Sequence, residues 1–262
     1  MKGAAAGYVV AAPNALFAEW QMRNGPNDGP PDVVPLVDDV AFVGDVVRCI
    51  LAMGVPLSMR AVLSGYSLGG MFACRIACTP PAGLTIAAVA VAGGMQSASP
   101  HDERTCAPTS LMIFEGGAET QVPMCNRATI WGTTFSYAPL MPRFEDWVRY
   151  TGGDMVATRE ATQCAADDGT RVYSWAGGGD AAAAKLRTTL VWIPEGGHIW
   201  PRQLAGCPGD TAGIDAAMSF YQTALAGEPQ PVTPFCAGGF APCERKLPCD
   251  APTAGDWVSS MR

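Results

Sequence analysis

The stretch Ala61-Val62-Leu63-Ser64-Gly65-Tyr66-Ser67-Leu68-Gly69-Gly70-Met71-Phe72-Ala73-Cys74 changes its periodicity halfway along. A short apolar run of strand type closes at Gly65, and residues spaced for a helix begin after Ser67. A chain that turns this sharply from strand to helix crowds the positions two before and two after the corner, and only a hydrogen fits at either. Gly65 and Gly69 meet that demand. The side chain at the corner then stands above the sheet, facing the first amides and the positive dipole end of the helix. Ser67 is therefore read as a nucleophile and the N–H of Leu68 as an oxyanion donor. The competing reading is a glycine-rich turn that only connects two elements.

Similar short runs recur at residues 8–12, 86–92, 110–114 and 189–193, rich in Val, Ile or Ala and bounded by turn residues. Runs of this kind predict parallel strands buried on both faces. Between the first run and residues 60–65, Val37, Val40, Ala41, Val43, Gly44, Val47 and Ile50 recur at helical intervals behind Asp38 or Asp39, and residues 215–225 predict a final helix. The alternation predicts an α/β protein with a doubly wound, mostly parallel sheet. Residues 96–109 and 151–188 are read as loops. After Gly227 the composition shifts to proline, glycine and three cysteines, which divides the chain into a main domain, 1–226, and a disulfide-tethered extension, 227–262, without a core of its own. Residues 3–12 have some features of a signal-peptide core. The buried-strand reading of 8–12 is preferred because the run is poor in leucine and carries Tyr8.

A serine hydroxyl needs a base, and the chain has two histidines. His101 falls in a polar stretch of loop type. His198, in Glu195-Gly196-Gly197-His198-Ile199-Trp200-Pro201, follows the last strand-like run and so lies at the carboxyl edge of the sheet with Ser67. His198 is the expected base. The third member is an acid that fixes the imidazole tautomer, expected just after a strand and between serine and histidine in the chain. Glu119, in the loop after residues 110–114, is chosen over Glu115 and Asp154.

Composition limits the classes. Seventeen basic and 24 acidic residues give a net charge of −7, which disfavours nucleic acid as a partner. The chain lacks a run of about 20 apolar residues, so no membrane span is expected. Ten cysteines, scattered and not in CxxC pairs, suit disulfides and an oxidising compartment. Cys74 and Cys78 share a helix face and are poorly placed to bridge each other, so each pairs elsewhere or is a buried thiol. The wide spacing of Cys236, Cys243 and Cys249 argues against a metal site, and no cofactor is expected.

In order and spacing, the segments GYVVAAPN, VDDVAFV, GYSLGGMFACRIAC, LMIFEGGAETQVP and GGHIWP resemble the extracellular esterase family of polyhydroxybutyrate depolymerases and feruloyl esterases. The resemblance covers residues 7–225. It implies a secreted, disulfide-bonded α/β-hydrolase without cofactor that cleaves carboxylic esters of polyesters or plant cell walls. Carried over by position, Ser67 is the nucleophile, His198 the base, and Trp200, with Tyr66, belongs to the substrate-binding surface. Glu119 stands where the family has aspartate. The family also has an earlier strand whose His-Gly loop donates a second oxyanion N–H, and only residues 1–7 precede the run at 8–12. This implies an N-terminally truncated sheet or one that closes differently. The alternative function is a catalytically silent module that binds an ester polymer through Trp131, Trp147 and Trp200.

Overall fold

The computed structural model describes residues 4, 6–15, 20, 38–95, 109–125, 128–129, 136–137, 139–155, 159–165, 169–179, 186–200, 212–226, 240–242 and 248–249. In chain order these form α1 (Asp39–Ala52), β1 (Arg60–Tyr66), α2 (Leu68–Cys78), β2 (Thr85–Ala92), β3 (Ser110–Gly116), β4 (Ala128–Thr129) and β5 (Ser136–Tyr137). Then come α3 (Leu140–Tyr150), β6 (Arg159–Ala165), β7 (Arg171–Ala176), β8 (Arg187–Ile193), α4 (Ala212–Ala226) and β9 (Phe240–Pro242). The fold is α/β. One seven-stranded sheet has the order β1-β2-β3-β8-β7-β6-β9, and β4 and β5 form a separate ribbon. Strands β1, β2, β3 and β8 run parallel, whereas β7, β6 and β9 each run antiparallel to the neighbour before them.

Alternation along the central strands assigns their side chains to two cores. Val89, Val91, Leu111 and Ile113 face α2 and α3, packing with Phe72, Ile76, Leu140, Phe144 and Trp147. Ala88, Ala90, Ala92, Met112 and Phe114 face the other way and meet Ala216, Ala217 and Phe220 of α4. Alanines on β2 and α4 let that helix settle close to the sheet. Both faces are covered by helices, so the strand sequences read as continuous apolar runs. Helix α1 starts as its sequence predicts, with the Asp38 carboxylate accepting from the N–H of Ala41.

Two expectations are corrected. Residues 8–12 form no strand: they lack regular structure, and Val9 and Val10 are 49% and 45% exposed. An apolar run becomes a strand only when a neighbour takes its backbone bonds, and among the described residues β1 pairs with β2 alone, at the sheet edge. The region 151–188, read as loops, contains β6 and β7. The tail contributes β9 to the far edge of the sheet, and Cys249 is joined to Cys125. Cys78 is disulfide-bonded and Cys74 is a buried thiol, so the two residues of one helix face have different fates. Among the described residues no helix is long and apolar enough to cross a membrane, and no cluster of His, Cys, Asp or Glu could hold a metal ion.

Candidate active site

Three loops leave the carboxyl ends of β1, β3 and β8, and each brings one polar side chain to a common point. Ser67 is the corner residue between β1 and α2, with φ 52° and ψ −124°, a left-handed conformation that a non-glycine residue adopts only under constraint. The constraint is visible around it. The Ser67 N–H donates to the carbonyl of Ala92 at 2.9 Å, and a Cβ built on Gly65 would stand 2.1 Å from the carbonyl oxygen of Gly69. Gly65 is thus required by the turn itself. A Cβ on Gly69, expected to be excluded as well, would meet only Trp20 Nε1, at 3.9 Å, among the described residues. The second close approach falls one residue later, at Gly70, where a Cβ would stand 2.4 Å from the Gly94 carbonyl oxygen. Ser67 does not cap α2 with its hydroxyl, which leaves Oγ for other work.

That oxygen lies 2.9 Å from Nε2 of His198. On the other side of the ring, Nδ1 is 2.5 Å from Oε2 of Glu119. The second carboxylate oxygen, Oε1, accepts from the N–H groups of Gln121 at 2.5 Å and Val122 at 3.1 Å. The Glu119 side chain is fully buried and that of His198 is 11% exposed. In this partly dry setting each contact gains strength over its value in water. The loops bearing Glu119 and His198 are locked together: Gly117 N–H donates to Ile193 and Ala118 N–H to Gly196, both at 2.8 Å. A Cβ on Gly116 would stand 2.0 Å from the Gly196 carbonyl, so this approach also demands glycine. The N–H of Leu68 lies in the first turn of α2, where no intrahelical carbonyl can take it.

Ser67, Glu119 and His198 are therefore brought together as the sequence predicts. His101 and Trp131 lie outside the described residues. Asp154 is exposed beyond α3, and Glu119 already occupies Nδ1 of His198. Tyr66, which is 40% exposed, and Trp200, which is half-buried, each make a contact of their own. The Tyr66 hydroxyl donates to the main-chain carbonyl of His198. Trp200 turns its ring to Phe114, 5.6 Å between centroids, and packs on the α4 side of the sheet, with a buried indole N–H that has no partner among the described residues. Trp147 is 3% exposed and donates to the Thr109 carbonyl, so it presents no surface to a polymer. Sequence reasoning missed Trp20. Its ring lies flat on Phe72 of α2, 4.5 Å between centroids, with Nε1 beside Gly69 at the start of that helix. No motif around position 20 signals that contact.

Glu115, one residue before the end of β3, is a buried carboxyl whose oxygens meet no well-formed hydrogen-bond partner among the described residues. Burial, reinforced by the charge of nearby Glu119, holds it well above the usual carboxylate range, which favours its protonated form. In the unfolded chain it ionises at its ordinary value. Stability tied to it is thus complete below that value and is lost as pH rises toward the raised folded value. Glu115→Met should stabilise the fold at neutral pH by about 1–3 kcal/mol. The gain should shrink below pH ~4, and denaturant melts at several pH values would reveal it. A variant less stable than the parent at pH 8 would contradict this account.

Set beside known proteins, the chain matches no family model, and no curated protein matches it.

Proposed function

We propose that the protein is a serine carboxylic-ester hydrolase with an α/β-hydrolase catalytic core that works through an acyl-enzyme. The observation that carries this reading is the unbroken relay from Ser67 Oγ through His198 to Glu119, 2.9 Å and 2.5 Å long, above the carboxyl ends of parallel strands. Ser67 Oγ attacks the ester carbonyl carbon while His198 Nε2 takes its proton. Glu119 holds the Nδ1 proton in place and balances the charge the ring acquires. The carbonyl oxygen becomes an oxyanion at the N-terminus of α2, where Leu68 N–H and the helix dipole meet it. Collapse expels the alcohol, which receives its proton from Nε2. Water then repeats the sequence on the acyl-enzyme, with His198 as base, and the acid is released.

The resemblance to extracellular polyester and cell-wall esterases supports an ester in a polymer or plant wall as substrate, and secretion as the destination. The disulfide Cys125–Cys249 and the bonded Cys78 fit an oxidising compartment. The alternative of a silent binding module loses one of its three aromatic contacts with the burial of Trp147.

The test is covalent. A fluorophosphonate should label the intact protein once, on the peptide carrying Ser67, and a p-nitrophenyl ester should give a burst of nitrophenol followed by slower turnover. An unlabelled, natively folded protein that binds an ester polymer without cleaving it would return the module reading to first place.

A further inference from the structure

The nucleophile's neighbour makes a contact that neither the turn nor the relay requires. Tyr66 ends β1, and its hydroxyl crosses to the loop after β8 to donate to the main-chain oxygen of His198. Its ring stands beside the imidazole, 5.0 Å between centroids at 46°. A Cβ on Gly93 would come within 3.2 Å of the Tyr66 ring and 3.1 Å of His198 Nδ1, so the loop after β2 closes over both rings from below.

The histidine loop needs such a hold. His198 follows Gly196 and Gly197 and precedes Ile199, which is 62% exposed. The loop's base is pinned by the bond from Ala118 N–H to Gly196, and its exit by Trp200 against Phe114. Between those points, the main-chain oxygen of His198 accepts from the Tyr66 hydroxyl. An imidazole on a diglycine loop would otherwise sample rotations that break a 2.9 Å approach to Ser67.

We infer that Tyr66 is a positioning residue: its hydroxyl clasps the backbone of the base to the corner that holds the nucleophile, so that adjacent residues fix both ends of the Ser67–His198 contact. This rests on the hydrolase reading for its effect on rate, but the clasp itself can be read without turnover. Burial and the Glu119 charge both hold the phenol above its ordinary value, so it remains a donor throughout the neutral range.

Tyr66→Phe keeps the ring and removes the donor. With two histidines in the chain, the ring resonances of nitrogen-15-histidine-labelled protein are few enough to assign by comparison with His101→Gln. The Nδ1–H signal of His198 should broaden and exchange faster with solvent in Tyr66→Phe. For hydrolysis, kcat and the rate constant for fluorophosphonate labelling should both fall about fivefold, with KM unchanged and the melting temperature close to that of the parent. An unchanged Nδ1–H signal overturns the inference, as does a variant whose KM rises at constant kcat, since that result makes Tyr66 a ligand contact. A wild-type protein that neither labels nor hydrolyses would defeat the hydrolase reading, while the resonance would still decide the clasp.

Discussion

Ser67→Ala and His198→Ala should each lower kcat for ester hydrolysis by about 10⁶-fold, and the double variant should be no slower than either. The lack of additivity follows from the geometry. Oγ is a nucleophile only while Nε2, 2.9 Å away, can take its proton, and Nε2 has nothing to accept when the hydroxyl is gone. What survives is the contribution of the Leu68 amide and the helix dipole, about 10³-fold over water, which all three variants share. Folding should tolerate the serine change: the hydroxyl caps no helix, and alanine bears the left-handed backbone angle no worse than serine. Ser67→Ala should therefore unfold within about 0.5 kcal/mol of the parent. His198→Ala leaves the buried Glu119 with its two backbone donors but without its ring partner, so it should melt lower. Losses that multiply in the double variant would show that serine and histidine act separately, and the relay would then be incorrect.

How much of this was legible in the sequence depended on how local the determining physics was. The corner at Ser67 is set by a steric demand local to it, the Gly69 carbonyl pressing on position 65, so Gly65 discloses it, while Gly69 itself has room for a Cβ. The strands at Thr85–Ala92 and Ser110–Gly116 are buried on both faces by helices of the same domain, and their continuous apolar runs declare it. His198 was found by elimination and by its place after β8. Other features are decided by partners remote in sequence. Strand β7, Arg171-Val172-Tyr173-Ser174-Trp175-Ala176, sends Val172 to one core and Tyr173 and Trp175 to the other, and its serine and arginine obscure a run that β8 and β6 complete. Residues 8–12 show the reverse case, a run with strand composition that no described neighbour pairs with. Tyr66 and Trp200 were assigned by position in a motif, which fixes where a Cα lies but not which way a hydroxyl or an indole turns.

Glu119→Gln should lower kcat by about 10⁴-fold while binding of the ester stays nearly intact. The substitution preserves shape, and the amide oxygen can go on accepting from the N–H groups of Gln121 and Val122, so the loop keeps its form. The cost falls on the imidazole. An amide NH₂ set opposite Nδ1 obliges that nitrogen to accept, which moves the ring proton to Nε2 and points it at Ser67 Oγ. The base then has no free lone pair for the serine proton, and attack must proceed from the minor tautomer. Glu119→Asp tests the stem length. Its carboxylate keeps the charge but is one methylene short of spanning from the paired amides to the ring, so it must favour one set of partners. Its kcat should lie between those of the parent and the glutamine variant, with phosphonate labelling slowed in the same order. Glutamine at 119 with parental kcat would mean that the 2.5 Å contact to Nδ1 orients nothing the reaction uses, and the acid would have to be sought elsewhere.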